Sequence, residues 1–414
     1  MSNSENNYSL AADRVMSRIE TLASFSALES GVLRAFLTPE HKAAHQQLAV
    51  WMVEAGLETW QDAAGNQWGR KVSANPDAQS LILGSHSDTV VDAGKYDGTL
   101  GVIMAIEALD ALRETELPYH VDVVAFADEE GTRFNSTLLG SSAVAGKWND
   151  QWLSVCDADG VSMGEAFQQF GLEPEQVKTA ACQSQNVLGY LEVHIEQGPL
   201  LESENLPVGV VTAIAGAKRY ICQVNGLAGH AGTVPIHLRQ DAFCATAEMA
   251  LAIESFAKQR KIVATVGRCD IANSAVNVIP GAVEFSIDIR SQDQAQLEFA
   301  SIELIDQLQA IAEKRNVTFS NDLIYQAQAV PCHPEITQHW ADIVTEVTGQ
   351  EAKHLPSGAG HDAMVMATLT DIGMLFIRCD RGISHNPLEN VLSDDVAIGL
   401  ECLVKMVEKI ANNA

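Results

Sequence analysis

Hydrophobic positions along the chain repeat with two different periods. In residues 11–25 and 41–56 the apolar residues recur at helical spacing, and Gly56 ends the second segment. Further along, short runs of Val, Ile and Leu alternate with longer amphipathic segments, such as the predicted helix 100–114. Near-continuous apolar strands separated by helices indicate a parallel or mixed sheet covered on both faces. The predicted strands lie within segments 81–90, 121–131, 190–200 and 374–387.

The pattern of apolar and polar residues changes between about Thr212 and Leu323. Two segments there, RYICQVNGLAGHAG and AVEFSIDIRSQD, alternate apolar and polar residues, which is typical of an antiparallel sheet with one solvated face. We therefore predict an α/β domain formed by residues 1–211 and 324–414, with a smaller α+β domain inserted at residues 212–323. A chain of 414 residues is long enough for two domains.

Composition narrows the range of partners and compartments. The formal net charge of −28 argues against nucleic acid binding, which requires Lys and Arg to neutralise phosphates. We see neither a secretory signal nor an apolar run long enough to cross a bilayer. The eight cysteines include no CxxC pair, as expected of reduced thiols. These features predict a soluble, cytoplasmic protein without a membrane anchor.

Residues able to bind metal follow the predicted strands. In an open α/β sheet, ligands bind beyond the carboxyl ends of the strands, so side chains at these positions can meet in one crevice. A single His after a strand is more often structural, and a Glu pair is usually a solvated turn; the joint pattern favours a site. The candidates are His86, Asp88, Asp97, Asp128, Glu129, Glu130, His194 and His385.

The chemistry of this set indicates divalent metal ions. Imidazole and carboxylate ligands without cysteine suit Zn²⁺, Mn²⁺, Co²⁺ or Ni²⁺. Three His and two or three carboxylates are about what two ions need, and a pair of ions about 3.5–4 Å apart can activate water near neutral pH. Of the two adjacent acids Glu129 and Glu130, one can bind a metal while its neighbour moves protons.

Nine motifs, in order, carry a resemblance to a known family. They are GSHSDTV, YDGTLGV, DEEGTRF, HIEQGP, GHAGTVP, NVIPG, DIR, SGAGHDA and GISHNP. Together they resemble the ureido-cleaving branch of the dimetal aminoacylase/carboxypeptidase superfamily, from about residue 20 to the C-terminus. That branch contains allantoate amidohydrolases, N-carbamoyl-L-amino acid hydrolases and β-ureidopropionases. The resemblance implies an exopeptidase-like catalytic domain with a ferredoxin-like lid that also forms a homodimer.

The resemblance also implies a role for each matched position. His86 and His194 would bind one metal, Glu130 and His385 the other, and Asp97 would bridge them. Glu129 would be the general acid/base. Asp88 would orient the imidazole of His86, although a turn-capping role for Asp88 stays open.

Further roles concern a small anionic ureido substrate. His230 would act across the dimer interface on the developing oxyanion. Arg290 and Asn277 would hold the substrate carboxylate. Gln197 and Gly360 would line the ureido pocket. Lys218 stands where relatives often carry arginine, and it would contact the substrate as a point charge.

Among ureido substrates the resemblance favours allantoate, with release of ammonia and carbon dioxide. The stretches DEEGTRFNSTLLGSSAVAGKW, DADGVS and LPSGAGHDAMVMA carry this preference. The alternatives are an N-carbamoyl-L-amino acid hydrolase or a β-ureidopropionase. A scaffold protein without activity and an ordinary aminopeptidase or deacylase are weaker rivals, because the ligand set is complete and the HIEQGP and SGAGHDA motifs belong to the ureido branch.

Overall fold

The computed structural model describes residues 3–413, and the side chains of residues 7–412. The helices are α1 Asn3–Ala23, α2 Pro39–Glu54, α3 Thr99–Ala111, α4 Leu139–Val144, α5 Met163–Phe170, α6 Leu200–Ser203, α7 Ala242–Arg260, α8 Gln294–Lys314, α9 Pro334–Thr348, α10 Ala363–Met366 and α11 Ser393–Asn413. Short 3-10 helices span Asp150–Ser154, Pro174–Ala180, Ser184–Asn186, Ile236–Leu238 and Asp380–Gly382. No helix within residues 3–413 is long and apolar enough to cross a membrane.

The strands form two large sheets and a short ribbon. They are β1 Glu58–Gln61, β2 Gln67–Lys71, β3 Ser80–His86, β4 His120–Phe126, β5 Val187–Ile195, β6 Val208–Ile214, β7 Gly216–Asn225, β8 Gly229–His230, β9 Val263–Thr265, β10 Cys269–Ile271, β11 Val278–Ile279, β12 Ala282–Ser291, β13 Thr318–Ala327, β14 Val330–Pro331, β15 His354–Ser357 and β16 Ile372–Ile377. The predicted α/β class is confirmed.

The chain divides into two compact units. The first runs to Thr212, resumes at Cys332–Leu355 and continues from Ala359. The second comprises Ala213–Pro331 together with Pro356–Gly358. The sequence predicted the return to the first domain at residue 324, but β13 stays paired with β7 as far as Ala327. The second unit therefore extends further along the chain than the change in hydrophobic pattern suggested.

The larger sheet is mixed and nine-stranded, in the order β1-β2-β4-β3-β5-β16-β6-β14 with β15 paired to β6. Its strands β1, β2, β4, β3, β5 and β16 belong to the first unit. Its centre, β4-β3-β5-β16, is parallel. Every residue of β3, β4 and β16 is buried, as expected for parallel strands covered on both faces. Helix α3 is buried from Thr99 to Leu109, which explains its nearly continuous apolar sequence.

The second unit contains an antiparallel sheet, in the order β10-β12-β7-β13 with β9 paired to β12. Alternate residues of β7 and β12 pack with α7 and α8 in one hydrophobic core, which includes Tyr220, Phe285 and Leu304. The intervening residues of these strands lie on the opposite face. The predicted α+β organisation follows from this alternation.

Two histidines of α2 are enclosed in the first unit, and no carboxylate among residues 7–412 pairs with either of them. His41 and His45 are 0% and 1% exposed, and their ring centroids lie 4.0 Å apart. His45 Nε2 lies 2.6 Å from Ser87 Oγ. Burial, together with the nearby cation of Arg34, lowers the pKa of His45 to about 3. The folded state therefore holds this ring neutral.

This burial predicts a loss of stability in mild acid. Below pH 6.5 the unfolded chain gains a proton at His45 that the folded chain takes up only near pH 3, so the free energy of unfolding falls by about 1.4 kcal/mol per pH unit for this residue. We expect His45→Gln to reduce the slope between pH 6 and pH 4 by about that amount. All six tryptophans belong to the first unit, so urea unfolding followed by tryptophan fluorescence measures it.

The matched control is His354→Gln, at an exposed histidine of the same unit. We expect it to keep the slope of the parent protein. An unchanged slope in His45→Gln would show that the buried ring does not contribute to acid sensitivity.

Candidate metal centre

Four elements of the first unit bring metal-capable side chains to the carboxyl edge of the parallel strands. His86 is the last residue of β3, and His194 is the penultimate residue of β5. Glu129 and Glu130 follow β4, and His385 lies in the loop after β16. The sequence predicted this convergence because parallel strands point their ends toward one crevice.

The carboxylate of Asp97 lies at the centre of this set. Its Oδ1 is 3.1 Å from His194 Nε2 and 3.4 Å from His86 Nε2, and its Oδ2 is 3.1 Å from His385 Nε2. Glu130 Oε1 lies 3.6 Å from the same nitrogen of His385. Asp97 is 6% exposed and its contacts with His86 and His194 are buried, whereas the side chain of His385 is half exposed.

The contacts form two groups that share Asp97. His86, Asp97 and His194 each offer a ligand atom within 4.8 Å of the others, and so do Asp97, Glu130 and His385. A bridging carboxylate between two ions has this arrangement. The five residues that the sequence selected as ligands are thus brought together.

The donors fit a metal better than they fit one another. His194 Nε2 is buried and forms no hydrogen bond with any described residue, although Asp97 Oδ1 is 3.1 Å away. Its Nδ1 faces the carbonyl oxygen of Ile195 at 2.9 Å, which leaves Nε2 as the free ligand atom. An unsatisfied buried nitrogen is costly unless another partner occupies the site. A divalent cation is the partner this donor set suits.

Asp88 holds the neighbouring groups in place. Its Oδ1 lies 3.4 Å from His86 Nδ1 and accepts the backbone N–H of Glu129 at 2.9 Å, while Oδ2 accepts that of Glu130 at 3.2 Å. Asp88 is fully buried. His86 Nδ1 forms its hydrogen bond with the backbone carbonyl oxygen of Asp88, at 3.1 Å. The carboxylate of Asp88 lies beside the imidazole and fixes the turn after β4.

The surroundings of the site shift the pKa values of its acidic residues in opposite directions. Burial raises the pKa of Glu129 well above its usual value, in part against the nearby His86, and raises that of Glu130 to about 7. For Asp97, burial is outweighed by the three imidazoles, which hold its pKa well below the usual range. The hydrogen bond to Asp97 in turn raises the pKa of His385 to about 8.

Gln197 and Gly360, predicted to line a substrate pocket, both lie at this site. Gln197 Nε2 donates to Asp97 Oδ2 at 2.8 Å. Glu129 Oε1 is 3.6 Å from the position that a Cβ on Gly360 would take. Gln197 and His385 have φ angles of 55° and 53°, which are uncommon for residues with side chains and often occur at functional sites.

The remaining predicted residues belong to the second unit. His230 lies exposed on β8, opposite Val278 of β11, and the carbonyl oxygen of Asn277 accepts the N–H of Ala231 at 2.9 Å. These two predicted residues are therefore neighbours in the β8-β11 ribbon, and Asn277 is also exposed.

Arg290 on β12 is oriented by Asp288. Its Nε and Nη2 donate to the two Asp288 oxygens at 2.8 and 3.0 Å, and Nη1 donates to the carbonyl oxygen of Gly358. A guanidinium has five N–H donors, so one hydrogen on each terminal nitrogen is left. These two hydrogens remain available to a carboxylate.

Lys218 is not placed as the sequence predicted. It is 7% exposed, and its ammonium group pairs with Glu298 of α8. In β7 it shares the side of the core residue Tyr220, whereas Arg219 lies opposite Asp288 on the face that carries Arg290. Strand alternation thus turns Lys218 toward the helices, and a direct contact with substrate has no support.

Several buried polar residues at the candidate metal centre were not predicted from the sequence. Glu192 is fully buried and accepts hydrogen bonds from Ser85 Oγ at 2.8 Å and Ala363 N at 3.1 Å. His361, in the motif SGAGHDA, packs its ring against His194 with centroids 4.5 Å apart. A charged residue inside an apolar strand, as in YLEVHIE, was the available signal for Glu192.

A further buried acid, Glu389, accepts backbone N–H groups of the loop that carries Asp97. It follows the GISHNP motif in a polar loop, where an acidic residue is unremarkable in sequence. Nothing in the local pattern distinguished it from a solvated side chain.

Comparisons with known proteins agree with this architecture. Residues 82–409 match the model of "Peptidase family M20/M25/M40". An allantoate deiminase from Arabidopsis thaliana is 40% identical over 425 residues, covering 94% of this chain and 81% of the relative. An N-carbamoyl-L-amino acid amidohydrolase from Geobacillus stearothermophilus is 37% identical over 406 residues, covering 97% and 99%.

A solved structure has the same fold throughout. An amidase of the hydantoinase/carbamoylase family from Burkholderia multivorans superimposes with a TM-score of 0.91 at 30% identity, covering 97% of this chain and 98% of the other. The family resemblance, the exopeptidase-like fold class and the assignment as a hydrolase of C–N bonds are confirmed. This chain belongs to peptidase family M20/M25/M40.

Proposed function

We propose that this chain is a two-metal amidohydrolase that cleaves the ureido group of allantoate. The observation that carries the proposal is the convergence of three imidazoles and Glu130 around Asp97, with Glu129 beside them. The choice of allantoate is supported by similarity, since the allantoate deiminase of Arabidopsis thaliana is 40% identical. An N-carbamoyl-L-amino acid is the alternative substrate, supported by the 37% identity of the Geobacillus enzyme.

The metal ligands in this proposal are the two groups that share Asp97. His86, His194 and Asp97 would hold one ion, and Asp97, Glu130 and His385 the other. Zn²⁺ or Mn²⁺ is proposed, and Co²⁺ or Ni²⁺ suits the same ligands. Two such ions would supply an activated water near neutral pH and would polarise a carbonyl group.

The protein side chains then bind and orient the substrate and move the proton. Arg290 and Asn277 hold the substrate carboxylate, Arg290 through the two hydrogens that Asp288 and Gly358 leave available. Glu129 takes a proton from the attacking water and delivers it to the departing nitrogen. Hydrolysis of one ureido C–N bond consumes one water and gives the amine that carried the carbamoyl group together with carbamic acid, which decomposes to ammonia and carbon dioxide.

A homodimer is the proposed assembly, with His230 stabilising the oxyanion in the partner's site. The support is the exposure of His230 and of the apolar residues that surround the ribbon in sequence. Leu227, Ile236, Leu238 and Val276 are all more than 60% exposed. Exposed apolar residues of this density are typical of protein interfaces.

Substrate choice is tested by comparing ammonia release at equal concentrations of allantoate and the N-carbamoyl derivatives of L-alanine, L-methionine and β-alanine. The protein is loaded with Mn²⁺ or Zn²⁺ beforehand. We expect the highest kcat/KM with allantoate. A hundredfold preference for a carbamoyl amino acid would reverse the assignment, and absence of hydrolysis in every case would contradict the amidohydrolase proposal.

Substitution of Glu129, the proposed general acid/base, should lower turnover and leave the binding of substrate and metal unchanged. We expect Glu129→Gln to lower kcat by about 10²- to 10⁴-fold, because a neutral amide cannot transfer the proton. KM and the number of bound metal ions should stay unchanged, as measured by steady-state kinetics and metal analysis. Glu165→Gln, in the capping box of α5, is the control. Parental turnover in Glu129→Gln would exclude the assigned role.

Substitutions of Arg290 and Lys218, two cationic residues of the second unit, should have different effects. Arg290→Lys loses the planar fork, and the loss of charge-assisted hydrogen bonds worth about 1.5–3 kcal/mol corresponds to a kcat/KM lowered roughly 10- to 100-fold. Lys218→Met should leave KM unchanged and lower thermal stability, because it removes the cation that pairs with Glu298. If Lys218→Met raised KM as much as Arg290→Lys, the ion pair with Glu298 would not describe the working enzyme.

A further inference from the structure

Glu389 is a buried carboxylate with three hydrogen-bond donors and no assigned role. It is 3% exposed. Its Oε1 accepts the backbone N–H of Tyr96 at 2.7 Å and that of Asp97 at 3.1 Å, and its Oε2 accepts the hydroxyl of Ser384 at 2.8 Å. No Lys or Arg in the described part of the chain forms an ion pair with it. Its charge is therefore stabilised by these three donors.

The donors come from two loops that are far apart in sequence. Tyr96 and Asp97 precede α3, while Ser384 directly precedes His385. Ser384 Oγ also lies 3.2 Å from Asp97 Oδ2. Glu389 thus connects the loop of the shared carboxylate to the loop of the last histidine.

The first loop is shaped around this carboxylate. A Cβ on Gly94 would lie 2.3 Å from Glu389 Cβ and 2.4 Å from Glu389 Oε1. Both distances are well inside van der Waals contact, so only glycine allows the chain to pass here. The close approach at Gly94 is a second, independent sign that the position of the Glu389 carboxylate is fixed.

Hydrogen bonds to the backbone of a ligand control where its side chain starts. The N–H of Asp97 itself is bound, so the direction of its Cα–Cβ bond is set by Glu389. The side-chain hydroxyl of Ser384 donates to the other oxygen of Glu389, and this bond fixes the residue that directly precedes His385. Groups that orient ligands from behind typically change metal affinity by 10- to 100-fold when they are removed.

We propose that Glu389 is a positioning residue that holds Asp97 and His385 at the spacing required for two metal ions. This inference rests on the proposed function, since it takes Asp97 and His385 to be ligands. Glu389 touches neither ion nor substrate and acts only through the two loops.

The test measures metal binding directly. Metal-free protein is titrated with Mn²⁺ and with Zn²⁺ by calorimetry, and the absorption spectrum with Co²⁺ reports the ligand geometry. We expect Glu389→Ala to lower the affinity for the ion held by Asp97, Glu130 and His385 about 10- to 100-fold. The Co²⁺ spectrum should change as well. Glu389→Gln should recover most of the affinity, because its amide oxygen can still accept both backbone N–H groups.

Two further variants separate positioning from general stability. In Gly94→Ala the added methyl group displaces the Glu389 carboxylate without removing it. This variant should lower the affinity for the ion held by Asp97, Glu130 and His385 as much as Glu389→Ala does. Glu107→Ala removes another buried glutamate of the first unit, which pairs with Arg14 and Arg18. It should lower thermal stability and leave both metal affinities unchanged.

The outcomes distinguish this inference from the proposed function. Parental affinity and an unchanged Co²⁺ spectrum in Glu389→Ala, or in Gly94→Ala, would overturn the positioning role alone. Equal losses of metal affinity in Glu107→Ala and Glu389→Ala would also overturn it, since general destabilisation would then explain both. A parent protein that binds no ions would overturn the two-metal proposal as well.

Discussion

A carboxylate enclosed by three imidazoles sets the conditions for the rest of this structure. Asp97 is nearly inaccessible to water, and removing a charged group from water is costly unless cations or hydrogen-bond donors surround it. The protein supplies His86, His194 and His385 for this purpose, from three separate elements. Each element must therefore be held by further contacts, which explains why the crevice is bordered by buried polar residues.

Much of the fold and of the metal centre could be predicted because burial on both faces leaves a strong trace in sequence. β3, β4 and β16 are buried at every position, so their apolar runs are continuous and their ends are easily located. Metal-capable residues at those ends then stand out. The family resemblance assigned individual roles to these residues, which spacing alone could not do.

The failures have equally physical reasons. Lys218 and Arg219 are adjacent cations, and only the register of β7 against β12 shows that Lys218 faces the helices while Arg219 lies beside Asp288. The return to the first unit was placed too early because β13 is largely exposed and its apolar pattern is weak. Glu389 gave no signal, since its importance comes from loops that meet only after folding.

The division of the chain has a consequence for the order in which the protein is made. His86, Asp97, Glu130 and His194 are synthesised before the second unit, whereas His385 is synthesised after it. β16, which leads to His385, pairs with β5; the paired residues Ile372 and Tyr190 are 182 positions apart in sequence. Domains generally fold as units during synthesis. During synthesis, the edge of β5 that pairs with β16 therefore lacks this partner until the chain that follows the second unit has emerged.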